Sequence, residues 1–503
     1  MLRIVEVGLA VALWVAVLAF GGTSIPLFCV AQLTILSLGI FVLVSRLRSP
    51  LSNYRLPRLV PLLLMALVLL QIVPIPAYLA PLFRAQHEVV PGRAAFTLSL
   101  APYQTISHFL LLVTYWTAFG LTSIVCQDRR ARARLLYVLL ALGVFEALYG
   151  LLQYLTGWQQ IFAYTKKYYL EDATGTYINR NHFAGLLEMV LPFAAALGLQ
   201  RFRTLRSVVW RSQARVRAVL SGRELVPLVF AVFLCLVICT ALIFSRSRMG
   251  MVSALASLLA VFASVTMYSR GSERAQPVMA ALLALGVIGL VVWIGSDPVI
   301  TRFETLGREY TQTGQNRISI WKDTLKLIYL HPVLGTGLGT FSVSYPSVQT
   351  AFLNYQVDHA HCDYLEVASD LGIVGAVLVF GSIVWVLAQA VRGCGNVATG
   401  MDNVLRLGCI GSIMAILAHS CADSNLYIPA NALVFSVIVA LAWTTSQSGG
   451  TNIGTEVEVS GGLLPIALPK KSQKVFRDVL RMPSAGAASR GRDLPQRLGP
   501  PGH

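Results

Sequence analysis

The sequence contains few charged residues, and this scarcity limits the class of protein that it can encode. Only 13% of the 503 residues are Asp, Glu, Lys or Arg, whereas a soluble domain carries about 25%. Long uncharged runs recur from the N-terminus to about residue 446, and the mean hydropathy is +0.66. Because about 20 residues of helix cross the hydrocarbon core of a bilayer, the composition excludes an ordinary soluble domain and predicts a membrane protein.

The hydrophobic runs also lack the alternation of apolar and polar residues that transmembrane barrels show. Helices are the other structure that satisfies every backbone group in lipid. We therefore predict an all-α polytopic membrane protein with about 12 transmembrane helices. The first run has no evident small-residue cleavage site, so it is expected to remain as a helix. The expected spans are 5–21, 25–45, 59–80, 106–126, 134–156, 182–200, 225–244, 250–268, 277–296, 371–391, 407–420 and 430–446.

Acidic residues are scarce as well, with 23 Asp and Glu against 40 Lys and Arg and a net charge of +17. The basic residues concentrate in every second loop between the spans, and such loops stay in the cytoplasm. This pattern places both termini in the cytoplasm and accounts for the charge without a nucleic-acid partner. We assign 1–446 to a transmembrane domain, and we expect the basic tail 447–503, poor in aromatic residues, to be disordered.

The eight cysteines do not have the spacing of a metal site, and no metal or other cofactor is predicted. Most of them lie in or near the expected spans, where a thiol packs as a small apolar group. Cys362 and Cys421 both fall near the predicted outer face. No spacing argument supports a disulfide between these two residues, so their pairing stays open.

The predicted topology leaves two long loops on the outer face, 157–181 and 297–370, of which the second joins spans nine and ten. A loop of such length in a compact domain usually has a function. A short outer turn, 245–249, carries Arg246 and Arg248. Arginine at membrane depth is costly and usually marks a function or a firm partner. The alternative is that both side chains reach the lipid headgroups.

Further polar residues lie at the ends of the two long loops. Arg180 and Asn181 stand at the start of span six, where arginine and a helix N-terminus both favour an anion such as phosphate. The alternative is an ordinary helix start with an asparagine cap. In the larger loop Arg317 lies on a predicted helix. The glycine run 335–339 lacks the Lys-Ser/Thr of a P-loop and predicts a tight structural turn.

Residues 358–366 place two histidines and three carboxylates just before span ten. His359 and His361, with the acids near them, could ligate a metal. One histidine could instead act as a general base toward a sugar hydroxyl. A solvated loop without chemistry is the alternative for any one of these residues, but it accounts poorly for the whole cluster.

Five segments resemble the O-antigen ligase and polysaccharide polymerase superfamily, the Wzy_C-like membrane proteins. The clearest is His361-Cys362, then nine residues, then Gly372-Ile373-Val374-Gly375. The ligase pattern has Asn or a similar small polar residue where this chain has Cys362. The other segments are 177–185, 245–250, 317–341 and 419–431, and the resemblance covers roughly 95–446.

The resemblance implies a membrane-embedded, GT-C-like glycosyltransferase of the bacterial inner membrane with a periplasmic active face. Its donor would be a glycan on undecaprenyl diphosphate, displaced with inversion at the anomeric carbon. By analogy His361 is the catalytic base and His359 the second choice. Asp363 and Glu366 are the residues expected to orient His361.

The same resemblance implies how the diphosphate leaving group is held. Arg180 and either Arg246 or Arg248 would bind it, with Arg317 as a further candidate and Asn181 in support. No metal or cofactor is implied, because arginine can neutralise the charge of the leaving group.

Three functions remain open from the sequence. A ligase would move the glycan to lipid A-core or another surface acceptor, and a polymerase would join lipid-linked repeat units. Both would use the same donor. Some relatives are instead labelled bicarbonate transporters, and a transporter of bicarbonate or another small solute would place ionisable residues at mid-membrane. Glu146 and Glu188 lie within spans, whereas the other candidate residues gather at the outer face.

Overall fold

The computed structural model describes residues 1–48, 57–76, 78, 95–211, 222, 225–268, 315–350, 356–394 and 400–447. These residues lie within one compact unit, Met1–Thr451. The helices are α1 Leu2–Leu18, α2 Ile25–Arg48, α3 Leu59–Ile72, α4 Pro102–Val125, α5 Arg129–Thr156, α6 Arg180–Arg211, α7 Leu225–Phe244, α8 Arg248–Tyr268, α9 Gln315–Leu330, α10 Phe341–Ser344, α11 Asp363–Gly393, α12 Met401–His419 and α13 Pro429–Gln447. Two antiparallel hairpins pair β1 Ile75–Pro76 with β2 Ala95–Phe96, and β3 Gln160–Ile161 with β4 Tyr164–Thr165.

Within the described residues, nine helices are long and apolar enough to cross a membrane, namely α2, α4 to α8 and α11 to α13. The chain is therefore a multi-pass helical membrane protein. Helices α1 and α3 are also apolar but have only 17 and 14 residues. The span expected at 277–296 lies outside the described residues, as do 297–314 of the large loop and the tail from 448 onward. The total of about 12 spans thus stays a prediction.

Several predicted spans have different bounds in the structure, and three of the differences bear on the site or have a clear cause. The span expected at 59–80 ends at Ile72, because Val73 precedes Pro74 and a residue before proline disfavours helix; Val73 is extended, with ψ at 129°. The span expected at 407–420 begins earlier, at Met401. The span expected at 371–391 begins at Asp363. Polar residues that the hydropathy assigned to a loop therefore form the first turns of α11.

Helix α6 is the centre of the bundle. In its apolar window 83% of the residues are buried, compared with 22% in α2 at the periphery. Small residues allow neighbouring membrane helices to approach this closely. Gly408 of α12 faces Phe193 of α6, and a Cβ at that position would collide with the phenylalanine ring. The start of α6, which carries Arg180, is consequently held firmly by the surrounding helices.

Helix α11 is broken at Gly372, which has φ 65° and ψ −176°. The break frees the carbonyl oxygens of Ser369 and Asp370, and they accept hydrogen bonds from the amides of Thr336 and Gly337 at 2.9 and 3.0 Å. A Cβ on Gly372 would collide with the carbonyl group of Val333. The glycine run after α9 is thus a structural turn wedged against α11, which confirms the prediction from its sequence.

Candidate active site

Four separate segments meet through hydrogen bonds and ion pairs at one end of the bundle. They are the loop 157–179 before α6, the turn 245–247 between α7 and α8, residues 356–362 before α11, and residues 420–428 between α12 and α13. The first turn of α9 joins them, because Arg317 Nη1 donates to the carbonyl oxygen of Ala422 at 2.9 Å. We treat these segments as two sides of one site, which we call the base side (356–366 and 419–428) and the arginine side (157–181 and 245–247).

On the base side, His361 is paired with Asp423. Its Nδ1 lies 3.4 Å from Asp423 Oδ1, and its side chain is 34% exposed. Asp423 is 2% exposed and also accepts hydrogen bonds from Asn181 Nδ2 at 2.6 Å and from the amide of Ser424 at 2.9 Å. Asp423 is therefore a buried hydrogen-bond acceptor, and the imidazole of His361 that pairs with it is partly exposed at the surface of the site.

The pKa of Asp423 reflects this environment. Burial alone would raise it, but the hydrogen bond from His361 and the nearby His182 and His419 hold the pKa well below its usual range. The carboxylate consequently stays ionised, and it favours the tautomer of His361 that carries its proton on Nδ1 and leaves Nε2 open. An imidazole in this state can accept a proton from a hydroxyl group.

Asp363 and Glu366, which were expected to orient His361, have other partners. Asp363 accepts from the hydroxyl of Ser420 at 2.7 Å and from the amide of Leu426 at 3.1 Å. Glu366 accepts from the Ala360 amide at 2.9 Å and from the Ser424 hydroxyl at 2.8 Å. Neither carboxylate therefore pairs directly with the imidazole of His361: Asp363 faces the 420–428 segment, and Glu366 binds both that segment and the backbone just before His361.

His359 is tied to Glu366 rather than left free. Its Nδ1 donates to Glu366 Oε1 at 2.7 Å. Burial alone would lower the pKa of His359, but the charge and hydrogen bond of Glu366, with Asp358 and Asp423 nearby, raise it to about 9. At neutral pH His359 is therefore an imidazolium, and it is poorly suited to accept a proton. Its ion pair helps to fix the backbone that leads to His361.

On the arginine side, Asp172 joins Arg180 and Arg246. Arg180 Nη1 lies 2.8 Å from Asp172 Oδ2, and Arg246 Nε lies 3.7 Å from Asp172 Oδ1. Arg246 Nη1 also pairs at 3.1 Å with Glu171, whose side chain is 85% exposed. Arg248, the other residue named from the same turn, is the exposed first residue of α8. Arg246 thus shares the carboxylate of Asp172 with Arg180.

The arginine side contains unused hydrogen-bonding capacity. Within the described part of the chain, the buried atoms Arg180 Nε, Arg246 Nε and Asp172 Oδ1 have no hydrogen-bond partner. Buried polar atoms in folded proteins nearly always have one, so each exception requires an explanation. An anion bound between the two guanidinium groups would supply acceptors for both arginines.

Asn181 connects the two sides. Its Nδ2 donates to Asp423, and its Oδ1 accepts from the hydroxyl of Ser247 at 2.9 Å. His361 and the two arginines are therefore parts of one hydrogen-bonded arrangement. Tyr169 belongs to it as well, since its ring lies 5.2 Å from Arg180 Cζ.

Backbone strain concentrates at the same place. In the described ranges, five residues other than glycine have positive φ, and three of them are Tyr169, Arg246 and His361 at 57°, 52° and 50°. Such conformations cost free energy and persist where the surrounding structure imposes them, often at functional sites.

The two acids noted within spans have intramolecular partners. Glu146 accepts from the amide and the hydroxyl of Thr176 at 2.8 and 2.7 Å. Glu188 accepts from His419 Nδ1 at 2.9 Å. Both carboxylates thus support the loop and helix ends beneath the site.

Sequence reasoning did not select Asp172 or Asp423 as site residues. Asp423 belongs to the 419–431 segment that resembles the family, but its contact with His361 spans 62 residues of sequence. Asp172 lies eight residues before Arg180 in a predicted outer loop. The available signal was that Asp172 is an acid close to the candidate arginines on the same predicted outer face.

A family model described as O-antigen ligase, Wzy_C, matches residues 230–380. The match confirms the resemblance to the O-antigen ligase and polysaccharide polymerase superfamily. It includes Arg246, Arg317 and His361, whereas Arg180 and Asp423 lie outside it and join the site through contacts in the fold. No curated protein sequence gives a significant match to the chain.

Proposed function

We propose that this O-antigen ligase-related membrane protein transfers a glycan from undecaprenyl diphosphate to an acceptor hydroxyl by inverting displacement. The observation that carries the proposal is that one hydrogen-bonded arrangement contains both a partly exposed histidine paired with a buried carboxylate and two arginines with unsatisfied nitrogens. A proton acceptor and an anion site are the two groups that such a transfer needs.

In the proposed reaction His361 is the base. Asp423 holds the Nδ1–H of His361, and Nε2 removes the proton from the acceptor hydroxyl as its oxygen bonds to the anomeric carbon. The 3.4 Å separation of the two side chains is long for a hydrogen bond, and catalytic contacts commonly tighten when substrate binds. His359, with its pKa raised to about 9 by Glu366 against the effect of burial, stays protonated and supports the loop.

The arginines would take the leaving group. As the bond from the anomeric carbon to the diphosphate oxygen breaks, negative charge accumulates on the diphosphate. Arg180 and Arg246 lie side by side across Asp172, and planar guanidinium groups can bind phosphate with two parallel hydrogen bonds. Arg317 is proposed as a third cation, since it is anchored to the 420–428 segment beside Asp423. Arg248 stays a further candidate at the start of α8.

The proposed setting is the bacterial inner membrane, with the site on the periplasmic face and both termini cytoplasmic. The acceptor would be lipid A-core or another surface glycan for a ligase, and a second lipid-linked repeat unit for a polymerase. The site supports both in the same way, because the donor and the base are common to them. Solute transport receives less support, because Glu146 and Glu188 are both engaged by neighbouring side chains.

The direct test is reconstitution in lipid with an undecaprenyl-diphosphate oligosaccharide, with and without lipid A-core, followed by gel and mass-spectrometric analysis. A product that requires lipid A-core indicates a ligase, and a ladder from the donor alone indicates a polymerase. A donor that stays intact with both acceptors, while the same vesicles take up bicarbonate, contradicts the proposal.

A further inference from the structure

A buried lysine closes the loop that leads into the arginine side. Lys166 is 5% exposed, and its Nζ donates to the carbonyl oxygen of Asp172 at 3.0 Å. The Lys166 amide donates to the carbonyl of Gln159 at 2.8 Å, and the Asp172 amide donates to that of Tyr169 at 3.2 Å. An ammonium group is costly to bury, so its enclosure in a surface loop requires a reason.

The segment 166–172 carries the groups that determine where the arginines lie. The Asp172 carboxylate contacts both Arg180 and Arg246, at 2.8 and 3.7 Å. The Tyr169 ring lies 5.2 Å from Arg180 Cζ, within the range of a cation–π contact. A shift of this segment would consequently move both guanidinium groups.

We infer that Lys166 is a positioning residue for the donor diphosphate, because its ammonium group closes the 166–172 turn and so fixes how Arg180 and Arg246 are presented. This inference rests on the proposed function. Lys166 itself is too deeply buried to touch the substrate, and it acts through Asp172.

The charge of Lys166 makes its role measurable. Burial lowers the pKa of Lys166 to about 8, against the opposing attraction of Asp172. The other charged groups around Asp172 are Arg180 from α6, Arg246 from the 245–247 turn and Glu171 from the same loop. A diphosphate beside this cluster favours the charged form of the lysine, so by reciprocity the protonated protein binds the diphosphate more tightly. Affinity should be highest below pH 8 and fall as the pH rises through about 8.

The test measures the affinity of the full-length protein in nanodiscs for undecaprenyl diphosphate between pH 6.5 and 9.5. For Lys166→Met we expect an affinity about tenfold weaker at pH 7, the size of a lost buried hydrogen bond to a charged group. Its affinity should then change little through pH 8, whereas the wild-type affinity falls there. Lys167→Met is the matched control, because Lys167 is exposed and adjacent, and it should behave as wild type.

The inference is overturned if Lys166→Met keeps the wild-type affinity at pH 7, or if it keeps the wild-type decline through pH 8. If that variant does not fold, acetylation of the wild-type lysines followed by peptide mass spectrometry provides the readout. Bound undecaprenyl diphosphate should then slow the modification of Lys166 and leave Lys167 unchanged, and equal effects on both overturn the inference.

Glycan transfer by the wild-type protein, assayed in parallel, separates this inference from the proposed function. If the protein transfers glycan but its affinity for undecaprenyl diphosphate does not depend on pH, only the role of Lys166 is refuted. If the protein neither transfers glycan nor binds undecaprenyl diphosphate, the proposed function is refuted together with the role of Lys166.

Discussion

The base side and the arginine side of the site both contain buried charged groups, but they differ in how completely the hydrogen bonds of those charged groups are satisfied. The carboxylates of Asp363, Glu366 and Asp423 are almost fully buried, and each accepts hydrogen bonds from at least two partners. On the arginine side, by contrast, the buried atoms Asp172 Oδ1, Arg180 Nε and Arg246 Nε all lack a partner within the ranges that the structure describes, as does Gln159 Oε1. The base side has unpartnered buried atoms only on His419 and Asn425 within those ranges, and none on its carboxylates.

This difference indicates that the two sides are ready for substrate to different degrees. The carboxylates of the base side are fully engaged before any substrate arrives, which is the condition for holding His361 in one orientation. The arginine side lacks the acceptors that a bound anion would supply. Changes on the base side should therefore reduce the rate of the chemical step, whereas changes on the arginine side should reduce donor affinity.

The largest expected effect is that of His361→Ala. Removal of a general base typically lowers the rate by about 10²- to 10⁴-fold, so kcat should fall by that amount in the reconstituted transfer assay. The affinity for undecaprenyl diphosphate should stay within about twofold of wild type, which also controls for insertion and folding. A variant with normal kcat would show that His361 is not the base.

The next effect is that of Asp423→Asn, which preserves shape but removes the negative charge. An amide no longer favours the Nδ1–H tautomer of His361 and stabilises its protonated form less, so we expect kcat to fall by roughly 10²-fold. Asp358→Asn is the control, because Asp358 is an exposed acid of the same segment. Equal losses in both variants would argue against a specific pair of His361 and Asp423.

On the arginine side we expect Arg180→Lys to raise the donor KM by about tenfold, with a smaller change in kcat. A lysine retains the charge but cannot reproduce the planar, two-pronged geometry of arginine. Arg129→Lys, an exposed change at the start of α5, should leave the KM as it is. A loss confined to kcat would mean that the two sides are not divided as proposed.

The smallest effect concerns the ion pair of His359 and Glu366. The folded-state pKa of His359 is raised to about 9, since Glu366 outweighs the opposing effect of burial. The pair therefore stabilises the fold fully below about pH 6.5 and loses its contribution as the pH rises through about 9. Because His359 is 35% exposed, solvent screening limits the contribution to about 1 kcal/mol or less. The thermal midpoint should decline slightly from pH 6.5 to 10, and His359→Gln should flatten that decline.

The sequence predicted much of the membrane part because hydropathy depends on local composition. It also offered Arg180, Arg246 and His361 as candidates, with Arg248, Arg317 and His359 beside them, because these residues stand near loop ends in segments that resemble a known family. It did not predict the start of α11, because Asp363 and Glu366 are polar in sequence and were assigned to a loop. Their helix is stable because Ser420, Ser424 and Leu426 supply hydrogen bonds from elsewhere in the chain.

The partner of His361 was missed for the same physical reason. Hydrogen bonds between distant segments have no local pattern, and Asp423 and His361 meet only because α12 returns to the same end of the bundle as the start of α11. The sequence shows the order of the four segments that form the site along the chain. It does not show which of them contact each other, because those contacts depend on how α6 packs against α12.

The interruption at Gly372 also has a mechanical consequence. With 31 residues, α11 would extend about 46 Å as a continuous helix, which is more than the roughly 30 Å of a hydrocarbon core. The break divides it into a short piece bound to the glycine turn and to the 420–428 segment, and a longer piece able to lie in lipid. When a membrane thickens or thins, helices respond by tilting, and we expect the longer piece to tilt while the glycine turn holds the shorter piece in place. The candidate site would thereby be insulated from the thickness of the bilayer, and we expect His361 to keep its alignment in membranes of differing lipid composition.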